Sequence, residues 1–242
     1  MSYLYLIIAF IISGQAANAN PQIDVGEMYS YIESDKISVV KHVFNSGGGS
    51  DALVRVDVLE ILFTVNGVPI EIPIKNPRQS LIATPNRFFV PVGDSRGIRL
   101  AFSGKRDHER YFRVRFKPLI PERSSNFKAA EDKYGVSEKA PTVSVNLLVG
   151  YGTVLFVRPT DTVFNTLINE DVQSYIIENQ GNSVVIVDAF TDCPQGKRAL
   201  CKPATKHHLL PGKDFKFGKL LGHEYRFTLI EGSSVKDVIV RG

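Results

Sequence analysis

Thr142-Val143-Ser144-Val145-Asn146-Leu147-Leu148-Val149-Gly150-Tyr151-Gly152-Thr153-Val154-Leu155-Phe156-Val157 is the stretch on which the fold turns. Val143, Val145, Leu147, Val149, Tyr151, Leu155 and Val157 fall on alternate positions, so an extended chain places them all on one face. The spacing predicts a strand about 15 residues long, where typical strands run five or six. Just upstream, between Pro121 and Pro141, the composition shifts to Glu, Arg, Ser, Lys, Ala and Asp, which supplies little core and reads as a mobile loop. The first half of the strand, Thr142 to Val149, therefore has no evident neighbour on one side. Two readings stand: the strand is walled inside its own sandwich, or its edge is left open to add to another protein.

The same period of two runs through the chain. Val54-Arg55-Val56-Asp57-Val58, Ile70-Glu71-Ile72 and Phe112-Arg113-Val114-Arg115-Phe116 alternate apolar with charged side chains, and helical periodicity is almost absent. Asn45-Ser46-Gly47-Gly48-Gly49-Ser50-Asp51, Asn66-Gly67, Val92-Gly93-Asp94-Ser95 and Gln180-Gly181-Asn182 supply turn chemistry between the runs. Short strands punctuated in this way predict an all-β protein built of β-sandwiches. A weak repeat points to two copies. Phe89-Val90-Pro91-Val92-Gly93 leads into Ile98-Arg99-Leu100, and Leu209-Leu210-Pro211-Gly212-Lys213 leads into Phe215-Lys216-Phe217. The predicted boundary is Arg158-Pro159, giving one domain over 20–157 and another over 158–242.

The N-terminal residues carry an apolar run from Tyr3 to Ile12 and then Ala17-Asn18-Ala19 before Asn20-Pro21. This is the pattern of a secretory signal over residues 1–19, although no Lys or Arg precedes the apolar core. No later run approaches the 18 or so apolar residues of a membrane span, so no membrane insertion is expected. The formal net charge of +4 comes without a basic helix or an RNA-binding aromatic motif, which argues against nucleic acid as a partner. Cys193 and Cys201 are the only cysteines, and in an exported protein they read as one disulfide closing a small loop. Cys-x7-Cys-x5-His-His matches no zinc template, so no metal is expected. G-x-S-x-G, H-E-x-x-H and G-x-x-x-x-G-K-[ST] are absent, and Gly47-Gly48-Gly49 lacks the Lys of a phosphate cradle. His42, His108, His207, His208 and His223 are dispersed and read as surface or strand residues. The expectation is a protein that is not an enzyme, uses no ATP and needs no cofactor.

With these readings in place, the chain resembles the periplasmic pilus-assembly chaperones of the chaperone–usher pathway, and most closely their alternative branch with its common-pilus chaperones. The matching stretches are Ile23-Asp24-Val25-Gly26-Glu27, Leu81-Ile82-Ala83-Thr84-Pro85, Phe89-Val90-Pro91 with Ile98-Arg99-Leu100, and Glu109-Arg110-Tyr111-Phe112-Arg113-Val114. They continue with Gly152-Thr153-Val154-Leu155-Phe156-Val157-Arg158-Pro159, the Cys193/Cys201 pair and Leu209-Leu210-Pro211-Gly212-Lys213. Each motif is weak alone; the ordered set is specific.

The resemblance implies two immunoglobulin-like domains in a boomerang, located in the periplasm. Such a protein lends the last strand of its first domain to pilus subunits that lack one, then passes them to an outer-membrane usher. Carried over, the donor strand is Val143, Val145, Leu147 and Val149, continuing to Tyr151. The better-known branch anchors the subunit's C-terminal carboxylate with an Arg and a Lys. Here the matching places are Tyr29 and Val154, so backbone amides or another basic residue would have to replace that anchor. Glu109 and Arg158 fall at positions implying an ion pair between the domains. The rival reading is a secreted immunoglobulin-like pilus subunit or adhesin. It would need an N-terminal donor segment of its own, and the residues after Ala19 enter a motif-bearing first strand almost at once.

Overall fold

The computed structural model describes residues 21–47, 50–119 and 148–242. The first sandwich is built from β1 Gln22–Asp24, β2 Tyr29–Ile32, β3 Ser38–Gly47, β4 Ala52–Phe63, β5 Pro69–Pro73, β6 Leu81–Thr84, β7 Arg87–Val90, β8 Ser95–Phe102, β9 Arg110–Leu119 and β10 Tyr151–Val157. One of its sheets has the order β1-β3-β8-β6; the other runs β2-β10-β9-β4-β5, with β7 also on β4. The second sandwich is built from β11 Thr166–Glu170, β12 Ser174–Asn179, β13 Val185–Pro194, β14 Thr205–Leu209, β15 Asp214–Gly218, β16 His223–Glu231 and β17 Ser234–Arg241. Its sheets are β11-β12-β15 and β14-β13-β16-β17. This is the all-β sandwich architecture expected from the alternation, in the two immunoglobulin-like domains that the resemblance implies.

Alternation becomes burial strand by strand. On β9, Phe112, Val114 and Phe116 are fully buried, while Tyr111, Arg113, Arg115 and Lys117 face outward. Each buried side chain of this kind stabilises the fold by about 1.5–3 kcal/mol relative to exposure. They pack with Val54, Ile98, Leu100, Leu155 and Val157 into one core. Tyr175, Ile177, Val185, Val187, Tyr225, Phe227 and Leu229 form the other.

The internal repeat has a structural counterpart that its prolines only hinted at. Asn45 is fully buried; its Nδ2 donates to the Val90 carbonyl, and its backbone carbonyl accepts from the Gly93 N–H. Asn179, also fully buried, does the same with the Leu209 carbonyl and the Gly212 N–H. Gly93 and Gly212 both adopt φ 73°, a left-handed conformation that favours glycine. In each sandwich, then, one buried amide pins the same Pro-containing turn.

The long strand differs from expectation. Among the described residues it is a strand only over Tyr151–Val157, and Leu148-Val149-Gly150 leaves the ladder. Tyr151 pairs with Phe116, so continuing the register brings Val149 opposite Pro118. Proline has no N–H to give, and the ladder stops there. Val143, Val145 and Leu147 lie outside the described residues, as do the signal segment and the loop between Pro121 and Pro141.

Candidate functional site

The edge of β10 is only partly covered. β9 pairs with it along its whole length, Tyr151 to Val157, whereas β2 runs beside it in parallel only from Val154 to Val157. The Val154 N–H donates to the Met28 carbonyl at 2.9 Å. In a pleated strand the backbone groups two residues earlier point the same way, so Gly152 presents its N–H and C=O to a side where no described strand lies. Its carbonyl is met by a side chain instead: Arg113 Nη1 donates to it at 3.1 Å. Tyr151 packs against the core, and Val149 is 55% exposed.

The outer face of the same sheet is aromatic toward the second sandwich and ionic away from it. Phe63 meets the edge of Tyr111, Tyr111 meets Phe156, and Phe156 stacks on His208 of β14 with rings 5.5 Å apart. Tyr29 closes on His208 at 4.0 Å. Tyr29 and Val154, the places where the resemblance would put a cationic anchor, are register partners on β2 and β10. Neither is a cation, but Arg113 stands directly across from Val154 on β9. Arg113 and Arg115 share Glu71, while Arg55 and Lys117 share Asp57. Four cations on two carboxylates leave this face with a positive surplus.

Between the sandwiches lies a buried polar cluster. Glu109 and Arg158 both enter it, but no direct ion pair joins them. The Ser183 hydroxyl is interposed, accepting from Arg158 Nη1 at 2.6 Å and donating to Glu109 Oε1 at 2.6 Å. The expected contact is thus a relay through a serine. The Val184 N–H reaches both carboxylate oxygens of Glu109 at 3.0 Å. The carboxylate nearest to Arg158 is that of Glu33, 2.9 Å from Nε but off the N–H direction. Burial pushes the Glu109 carboxyl above its usual range, and the hydrogen bonds from Ser183 and Val184 oppose that shift.

Two hinge residues escaped the sequence reading. Arg106 donates to the carbonyls of Ile32, Glu33, Ser34, Lys36 and Arg158 at 2.7 to 3.2 Å, binding the turn after β2 to the connection between sandwiches. His208 Nε2 shares a hydrogen bond of 2.9 Å with the Tyr31 hydroxyl. Burial, reinforced by Lys206, lowers its pKa to about 4, and burial raises that of Tyr31, so the pair stays neutral. Only the run Lys206-His207-His208, facing a Tyr-rich β2, could have hinted at this contact.

Cys193 and Cys201 form a disulfide. Nearby, Asp192 takes His223 Nδ1 at 2.6 Å and Lys202 Nζ at 2.8 Å. Among the described residues no group of three or more potential ligands gathers to hold a metal, and no helix is long and apolar enough to cross a membrane.

No family model matches the chain, and no curated protein does. Solved structures do. The class 5 fimbriae chaperone CfaA superposes with a TM-score of 0.54 at 18% identity, covering 90% of this chain and 98% of its own. The E. coli chaperone DraB gives 0.54 at 14% identity, covering 92% and 98%. One chain of the Salmonella enterica complex of the SafA pilin with the SafB chaperone gives 0.54 at 15% identity, covering 93% and 99%. At these identities the likeness is one of fold, and that fold, two sandwiches in tandem over nine-tenths of the chain, is the one these fimbrial chaperone structures share.

Proposed function

We propose that the chain is a periplasmic chaperone of pilus assembly. It binds, folds and caps pilus subunits by donor-strand complementation and delivers them to an outer-membrane usher. Residues 1–19 serve as the signal, 20–157 as the strand-lending domain and 158–242 as the second domain. The observation that carries this reading is the edge of β10 at Gly152, which no strand among the described residues covers, directly after an alternating apolar run. Such an edge is an aggregation hazard unless another strand adds to it. The fold likeness agrees: SafB is a chaperone solved with a pilin, and CsuC was solved with CsuE as a chaperone–tip adhesion subunit pre-assembly complex of Acinetobacter baumannii.

In this mechanism Val143, Val145, Leu147 and Val149 enter the groove of an incomplete sandwich while main-chain pairing supplies direction. Four such side chains represent about 6–12 kcal/mol of gross apolar transfer, which ordering costs reduce. The work is drawn from the folding of the subunit, with no nucleotide. Replacing Leu147 and Val149 together by Glu is expected to cut recovery of a co-expressed pilus subunit from the periplasm about tenfold or more, with the chaperone still soluble. Unchanged recovery rules the donor assignment out.

A further inference from the structure

The side chain of Arg113 starts on the outer face of β9, opposite Val154, but its guanidinium works on the far side of β10. It reaches the Gly152 carbonyl, which points away from β9, toward the side where Val154 meets Met28. To arrive there it crosses the β10 backbone at Gly152, where a Cβ would stand 3.3 Å from Arg113 Cδ. Having no side chain, Gly152 leaves a passage over the strand. Nε is meanwhile held by Glu71 at 2.9 Å. Glu71 also serves Arg115, so the positive charge delivered to the edge is only half compensated.

We infer that Arg113 is a removable cap on the open edge of β10. Among the described residues no strand lies beside Gly152 on that side, and Arg113 gives its carbonyl the donor that a backbone N–H would supply. The occupant that replaces it is an extended strand of another protein, which takes that carbonyl and leaves the guanidinium to a carboxylate of its own. A second copy of this chain is the occupant that the cap rejects. Pairing two β10 edges brings one Arg113 against the other, and like charges across paired strands are destabilising. The inference deepens the proposed function by stating how the edge is kept available before a subunit arrives. Its test needs no subunit, so it can fail while the chaperone reading stands.

The test compares wild type with Arg113→Gln, which removes the charge, and Gly152→Val, which keeps the arginine but fills its crossing with a side chain suited to a strand. Self-association of each purified full chain is measured by sedimentation equilibrium, with circular dichroism confirming the fold. Loss of a charged hydrogen bond at an exposed edge is expected to raise the self-association constant about tenfold or more in both variants. If Gly152→Val does not fold, Arg113→Gln alone decides. Folded variants that self-associate no more strongly than wild type overturn the inference.

Discussion

Acidification loads the contact between the sandwiches through one ring. His208 lies against Phe156 and Tyr29 and shares a hydrogen bond with the Tyr31 hydroxyl; burial, Lys206 and His207 disfavour its protonation, and Asp188 favours it. Folded, it takes a proton near pH 4; unfolded, near 6.5. Between those values the unfolded state binds the extra proton, so the stability this ring contributes is complete above pH 6.5 and is lost as pH falls toward 4. At 1.36 kcal/mol per unit, moving from pH 7 to pH 5 removes about 2 kcal/mol. The ring is only partly buried, and solvent screening brings this to about 1 kcal/mol. The assay is urea unfolding of wild type and His208→Phe across that range. Phenylalanine keeps the stacking but cannot titrate, so the difference between the two stabilities should shrink by about 1 kcal/mol on acidification. A difference that stays level from pH 7 to pH 5 refutes the reasoning.

Ser183→Ala removes both bonds of the relay. Hydrogen bonds to charged groups are worth about 1.5–3 kcal/mol each, and Glu109 keeps its Val184 donor, so a loss of about 2–4 kcal/mol is expected in chemical denaturation; a loss below about 0.5 kcal/mol would contradict the relay. Replacing Cys193 and Cys201 together by Ala should lower the stability of the second sandwich by about 2–3 kcal/mol, the loop-closure entropy of a short loop. Calorimetry reads this as an earlier transition for that sandwich alone. Pro118→Val restores the N–H missing opposite Val149. Amide exchange at position 118 should become protected, and rapid exchange there would show that the proline does not set the end of the ladder.

What the sequence made legible was whatever depends on neighbours in the chain. Period-two burial on β9 and the turn chemistry before Ile98 and Phe215 could be read because each strand records its own buried face. The Cys193–Cys201 pairing was legible for the same reason, since few residues separate the two. The hinge was not. Arg106 binds five backbone carbonyls, and carbonyls carry no side-chain signature. Ser183 is an ordinary residue in a turn until Glu109 of the other sandwich and Arg158 of the connection are folded onto it. The break at Leu148-Val149-Gly150 carries no local signal, because the apolar alternation runs through Val149 while the partner's missing N–H, at Pro118, lies on another strand. The asparagines at positions 45 and 179 were visible individually, but their equivalence emerges only when both turns are seen to hang from them.

The Ser183 relay joins Glu109 of the first sandwich to the second, and the Arg106 clamp holds the connection between them to the first. Rotating one sandwich against the other would strip the hydrogen-bond partners from the buried Glu109 and Arg158, so the angle between them resists change.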